Sequence, residues 1–172
     1  MDPATELVAR NTTFAKSFAY AGRTAAPDLG TVIVTCVDPR VDPAHTLGIR
    51  VGEAAVIRTV GGRVSERVLD DLALYAHFIG PATDELTVLV VHHTECGAAR
   101  LADPDVREAA TSAGISPQRL EEIASADPSD SVGADVERIV RARRLSPSAR
   151  IGGYVYDVSD GTISEVVSPT EA

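Results

Sequence analysis

The chain has no tryptophan, a single methionine and only two cysteines in 172 residues, and aromatics make up 4% of it. With so few large rings, a core has to be filled by Val, Leu, Ile and Ala. Two cysteines are too few for the disulfide framework of a small secreted domain. No apolar run approaches the roughly 20 residues that a membrane-spanning helix needs. The opening Met1-Asp-Pro-Ala-Thr-Glu6 lacks the basic and apolar stretches of a secretory signal. Basic charge is also short: 16 Lys and Arg against 25 Asp and Glu leave a net charge of −9. That balance argues against nucleic acid or an anionic membrane as partner. Together these absences predict a reduced, cytoplasmic protein. No internal repeat, low-complexity tract or interdomain linker is visible, so residues 1–172 are expected to form one domain.

What is present reads as alternating strands and helices. Residues 4–19 place Leu7, Val8, Thr12, Phe14 and Phe18 at partly helical spacing. This predicts a moderately amphipathic helix lying on a neighbouring surface. Thr31–Cys36 is short, apolar and β-branched, as in a strand covered on both faces. Asp42-Pro43 reads as an N-cap followed by proline at the first helical position, opening a short helix to about Leu47. Ala54–Val60 is a second strand, followed by Gly61-Gly62, a pair that suggests close backbone approach or a turn at positive φ. Ser65 can cap a helix over Glu66–Ile79, which Gly80-Pro81 would stop. Glu85–His92 is a third strand. Ala98–Ala102, 105–113 and 117–125 are expected to be short helices, and Val132–Arg144 a better one with four arginines near its end. Ile151–Val158 and Thr162–Val167 alternate around Ser159-Asp-Gly161, a hairpin signal. The predicted fold is therefore α/β: a mainly parallel central β-sheet flanked by helices, with a C-terminal hairpin or edge strand.

In such a sheet, ligands sit beyond the carboxyl ends of the strands. Both cysteines fall there. Cys36 ends the first strand, and His93 and Cys96 follow the third, three residues apart. A thiolate and an imidazole at that spacing can reach one metal ion if the backbone turns between them. Either cysteine alone is more often a small buried hydrophobe. Their joint placement is what points to a site. Zinc accepts sulfur and nitrogen ligands in a tetrahedron, and three protein ligands with an open fourth position mark a catalytic centre. Asp38, two residues beyond Cys36, can contact the metal or its water. Arg40, two further, can grip that carboxylate and hold it off the metal. Without the cysteines, Asp38–Arg40 would read as a loop salt bridge. His92 should face the other side of its strand and be packed or hydrogen-bonded there. His45 and His77 lie on helices with no metal motif near them, Glu95 is expected to be solvated, and Arg58 carries no assigned role.

Three segments, Cys36-Val-Asp-Pro-Arg-Val-Asp-Pro43, Val56-Ile-Arg-Thr-Val-Gly-Gly62 and His92-His-Thr-Glu-Cys-Gly97, resemble the motifs of the β-class carbonic anhydrases. Gly153–Gly161 is similar to the closing strands of the short bacterial and archaeal members. The resemblance implies a homodimer or higher oligomer, a Zn2+ cofactor, and reversible hydration of carbon dioxide to bicarbonate and a proton by zinc-bound hydroxide. It matches Cys36, His93 and Cys96 to the zinc ligands and Asp38 and Arg40 to the catalytic pair. Asp38 can itself ligate zinc in the family's closed, inactive form. One departure stands out: Thr59-Val60 occupies the place where members usually carry Asn-Ala before the paired glycines. That region lines the pocket. Residues 103–130 are also poorly matched.

Two thiolates cancel the zinc charge, which predicts activity favouring alkaline pH. Three rival functions stay open on the sequence. The same zinc site could hydrolyse carbon disulfide or carbonyl sulfide. The protein could be a non-catalytic zinc-binding or bicarbonate-sensing homologue, against which the intact Asp38 and Arg40 argue. A thiol-redox role is disfavoured, because no C-x-x-C occurs.

Overall fold

The computed structural model describes residues 2–79, 85–125 and 127–172. The elements follow in the order α1 (Pro3–Lys16), β1 (Thr31–Cys36), α2 (Pro43–Thr46), β2 (Ala54–Thr59), α3 (Glu66–Ile79), β3 (Thr87–His93), α4 (Pro104–Ser112), α5 (Pro117–Ile123), α6 (Pro128–Ala142), β4 (Arg150–Tyr156) and β5 (Ile163–Glu171). Short 3-10 segments cover Val60–Gly62 and Gly97–Ala102. The Gly80-Pro81 stop predicted for α3 lies outside the described residues.

Five helices start by one device. Asp2, Asp42, Asp103, Ser116 and Asp127 each accept a backbone N–H with the side chain, and proline follows each in the first turn. Proline at that position loses no helical hydrogen bond and brings a helical φ. The rule locates the start of α6 at Pro128, four residues before the Val132 start expected from hydrophobic spacing.

The sheet order is β2-β1-β3-β4-β5. β1 pairs in parallel with β2 and β3, β3 pairs in parallel with β4, and β5 closes the sheet as an antiparallel edge. The mainly parallel sheet with a C-terminal hairpin is as the sequence predicts. Helices cover the inner strands, so Val32, Val34, Val88, Val90 and Ile151 are fully buried and join Leu72, Val132, Val136 and Ile139 in the main core. At Gly153 a Cβ would stand 2.4 Å from Val132 Cγ1, so α6 rests directly on the β4 backbone. The exception is α1. It is helical, but no residue of it is buried, and Leu7, Val8, Phe14 and Phe18 stay exposed. The neighbouring surface foreseen for it is not supplied by the described residues of this chain.

Candidate metal centre

The parallel register sets the site. Thr35 stands opposite Arg58 on β2 and opposite Val91 on β3, and the Thr35 hydroxyl donates to the Val91 carbonyl at 2.8 Å. The two strands therefore end side by side, with Cys36 and His93 at their carboxyl ends. Glu95 takes a left-handed φ of 54°, and the turn it makes returns Cys96 toward His93. The sulfurs of Cys36 and Cys96 are 4.0 Å apart and are not bonded to each other. Two sulfurs on one tetrahedral zinc, each at about 2.3 Å, would stand about 3.8 Å apart. One atom each from Cys36, His93 and Cys96 falls within 4.8 Å of the others.

The His93 ring is oriented from behind. Its Nδ1 lies 2.8 Å from the Thr94 carbonyl, so Nδ1 carries the proton and Nε2 offers a lone pair. Thr94 is held in turn: its N–H donates to the Tyr156 carbonyl, and its hydroxyl bonds Asp157 and the Val158 N–H in the β4–β5 connection. His93 is 1% exposed, and its Nε2 has no hydrogen-bond partner. A buried acceptor facing two sulfurs, with nothing to receive, is what a missing cation would explain. The donor set fits a zinc ion.

Asp38 stands outside that trio. Arg40 Nε and Nη2 donate to its two oxygens at 3.0 and 2.8 Å, and the Arg40 backbone N–H adds a bond of 2.9 Å. Asp38 Oδ2 remains 3.9 Å from His93 Nε2. The carboxylate is thus beside the open side of the trio but gripped from the far side. Arg40 is fixed by Glu95, whose carbonyl and carboxylate it meets at 3.1 and 3.3 Å. Glu95 is exposed as expected, yet it is a partner of Arg40 and not merely solvated. His92 is buried against α6, with Nε2 3.3 Å from Asp135, in line with the packed role foreseen for it.

Arg58 is the residue that sequence reasoning missed. From β2 it donates to the Cys36 carbonyl at 3.0 Å and the Asp38 carbonyl at 2.7 Å, and it meets Asp42 at 3.4 Å. It pins the loop that carries both a sulfur and the carboxylate. Its one signal in the sequence is an arginine inside an otherwise apolar strand, three residues before paired glycines.

The electrostatics follow the geometry. Hydrogen bonding to Arg40 lowers the Asp38 carboxyl to about 2 against an opposing effect of burial, so it is ionised at neutral pH. The Cys36 thiol is lowered to about 4, chiefly by a hydrogen bond from Cys96, with burial opposing and with help from His93 and the N–H groups of Asp38 and Gly61. The same shared proton raises Cys96. Burial works to lower His93, but Cys36, the Thr94 carbonyl and Asp38 outweigh it and leave it raised.

Residues 31–142 match the family model described as carbonic anhydrase. Beta-carbonic anhydrase 1 of Mycobacterium tuberculosis is 33% identical over 141 residues, which cover 81% of this chain and 83% of the relative. A carbon disulfide hydrolase of Acidianus sp. (strain A1-3) is 30% identical over 151 residues, covering 73% of this chain and 72% of that one. The crystal structure of a carbonic anhydrase from Streptococcus mutans superposes with a TM-score of 0.83 at 26% identity, covering 96% of this chain and 98% of that one.

Proposed function

The chain belongs to the β-class carbonic anhydrase family, and from that premise we propose that it interconverts carbon dioxide and bicarbonate on a zinc ion held by Cys36, His93 and Cys96. The observation that carries the proposal is the partnerless Nε2 of buried His93, facing two sulfurs 4.0 Å apart. When bound, zinc supplies Lewis acidity that makes a nucleophile of water. The remaining work falls to the protein. Asp38, ionised and therefore acceptor-only, receives a hydrogen bond from the attacking water and sets the direction of its lone pair. Arg40 occupies both Asp38 oxygens, which keeps the carboxylate from closing the metal shell. Were Arg40 to let go, Asp38 would be the fourth ligand, so it is assigned to the metal centre as well as to catalysis. Arg58 holds the loop between Cys36 and Asp42 in register with both.

The exposed apolar residues of α1 support a homodimer or higher homo-oligomer, since a helix of 14 residues with no buried face gains nothing from packing on its own chain. Sedimentation of the full chain tests this. A monomer at micromolar concentration would count against it.

One relative favours a second substrate class: the Acidianus carbon disulfide hydrolase shares 30% identity over 151 residues. Val60, one of the two positions that depart from the family's usual pattern, also lines an apolar groove of about 450 Å³ with Ala98, Leu101 and Ile123. The zinc-loaded protein should be assayed with carbon dioxide, carbonyl sulfide and carbon disulfide side by side, at about pH 7 and about pH 8.5. Carbon dioxide hydration that quickens with pH is the expected result. Turnover of carbon disulfide alone would transfer the site to that chemistry. No turnover above background with any of the three would make it a non-catalytic homologue.

A further inference from the structure

A groove between the end of β2, the start of α3 and α5 carries donors to which the proposed reaction assigns no step. Its volume of about 490 Å³ suits a small molecule, and Ser65, Arg67, Asp71 and Arg119 line it together with Arg58. α3 begins at Glu66, and its first backbone bond runs from the Leu69 N–H to the Ser65 carbonyl at 3.0 Å. The N–H groups of Glu66, Arg67 and Val68 are left without a backbone partner. Ser65 does not cap them, although the sequence suggests that it would. Its hydroxyl bonds none of the described residues, yet Ser65 is only 7% exposed. A hydroxyl placed so deep on the wall of a groove, with no partner, is what a polar ligand would explain.

The charges around these donors decide what the ligand is. Arg67 is exposed and makes no hydrogen bond or ion pair with the described residues. The Arg119 guanidinium commits only Nη1, to Glu122 at 3.2 Å. Glu66 turns away and accepts from Arg144 at 2.8 Å. Arg58 is engaged by the Cys36 and Asp38 carbonyls, so it adds charge but no donor. Three N–H groups at the positive end of a helix, a hydroxyl and two available guanidiniums match a phosphate group. Asp71 makes a bare phosphate the poorer occupant. It lies about 8 Å further along α3, lines the same groove and has no partner among the described residues. A carboxylate repels a free phosphate but accepts from a hydroxyl carried by its ester. We propose that the groove binds a small phosphate monoester of a polyol, its phosphate on Ser65, the first turn of α3, Arg67 and Arg119, and its hydroxyls on Asp71.

The inference does not rest on the zinc reading, and the test is one of binding alone. Full-length wild type, Ser65→Ala, Arg67→Gln and Asp71→Asn are titrated in chloride buffer with glycerol 3-phosphate, inorganic phosphate and glycerol. Binding is read by calorimetry and by broadening of the probe's phosphorus NMR line. In wild type, glycerol 3-phosphate should bind once per chain and more tightly than phosphate, and glycerol should not bind. Arg67→Gln should weaken the ester about tenfold and Ser65→Ala about fivefold, both with the melting temperature of wild type. Asp71→Asn should weaken the ester but not phosphate. A wild type that binds neither phosphate compound would overturn the site. So would binding that Ser65→Ala and Arg67→Gln leave intact, or a Ser65→Ala chain that loses only heat stability, because the hydroxyl would then be a helix cap. Phosphate bound as tightly as its ester, in wild type and Asp71→Asn alike, would overturn the assignment to an ester.

Discussion

Replacing Arg58 by Met keeps the length and apolar stem of the side chain and removes its guanidinium. The two short bonds, to the Cys36 carbonyl at 3.0 Å and the Asp38 carbonyl at 2.7 Å, are lost together with the longer contact to Asp42 at 3.4 Å, which the figure below leaves out. A charged hydrogen bond contributes about 1.5–3 kcal/mol net. The side chain is 29% exposed, so water can replace part of each bond, and the lower figure applies. The loop from Cys36 to Asp42 should then lose about 3 kcal/mol of restraint in all. If half of that appears as misplacement of Asp38, turnover falls about tenfold, since each 1.36 kcal/mol is a factor of ten in rate. The assay is stopped-flow carbon dioxide hydration with a pH indicator, normalised to zinc content. Arg58→Lys should recover only part of the loss, because a lysine has no fork to reach both carbonyls. An Arg58→Met protein with wild-type turnover per zinc would refute the reasoning and leave Arg58 with no part in placing Asp38.

Three further outcomes are expected. Asp38→Asn should cut turnover about 100-fold while zinc stays bound, since the trio of donors is untouched; unchanged activity would remove the orienting role. Gly62→Ala should lose about 1–2 kcal/mol of stability in urea unfolding, because Gly62 sits at φ 71° and a Cβ would crowd the Cys36 amide; a neutral substitution would mean the turn is loose. Burial works to raise the Asp135 carboxyl, but His92 and Arg63 outweigh it and hold it below 3.8. A lowered folded value means stability that is complete above the unfolded value and is lost as the pH falls through the folded one. Unfolding free energy should therefore drop more steeply between about pH 5 and about pH 3 in wild type than in Asp135→Asn, and equal slopes would count against a paired carboxylate.

Much of this was legible because local signals and the parallel sheet agree. β1 was read with its observed bounds, Thr31–Cys36, since a short β-branched run between glycine and a polar loop has one plausible fate. Cys36, His93 and Cys96 stand out in the sequence by their chemistry and their common place at strand ends, and the structure brings their ligand atoms within 4.8 Å of one another. The start of α6 was misplaced because Pro128 reads as a breaker until Asp127 is recognised as its cap. Arg58 and Asp135 were not found, for a different reason. Each acts through partners 16 to 22 and 71 to 72 residues away along the chain, respectively. No spacing rule reaches that far, and a lone arginine in a strand or a lone aspartate in a helix looks like surface charge until the packing is known. Glu95, between His93 and Cys96 in the sequence, is expected only to be solvated. Its left-handed φ, which aims the carbonyl at Arg40, is a backbone property that the residue type does not announce.

The most direct measurement is metal analysis of the purified full-length chain, with X-ray absorption at the zinc edge and free-thiol titration before and after chelation. One zinc per chain is predicted, with two sulfur neighbours at about 2.3 Å and two nitrogen or oxygen neighbours at about 2.0–2.1 Å. Both thiols should be shielded until the chelator is added. Protein that carries no stoichiometric zinc, or a metal with no sulfur in its first shell, would contradict the assignment of Cys36, His93 and Cys96.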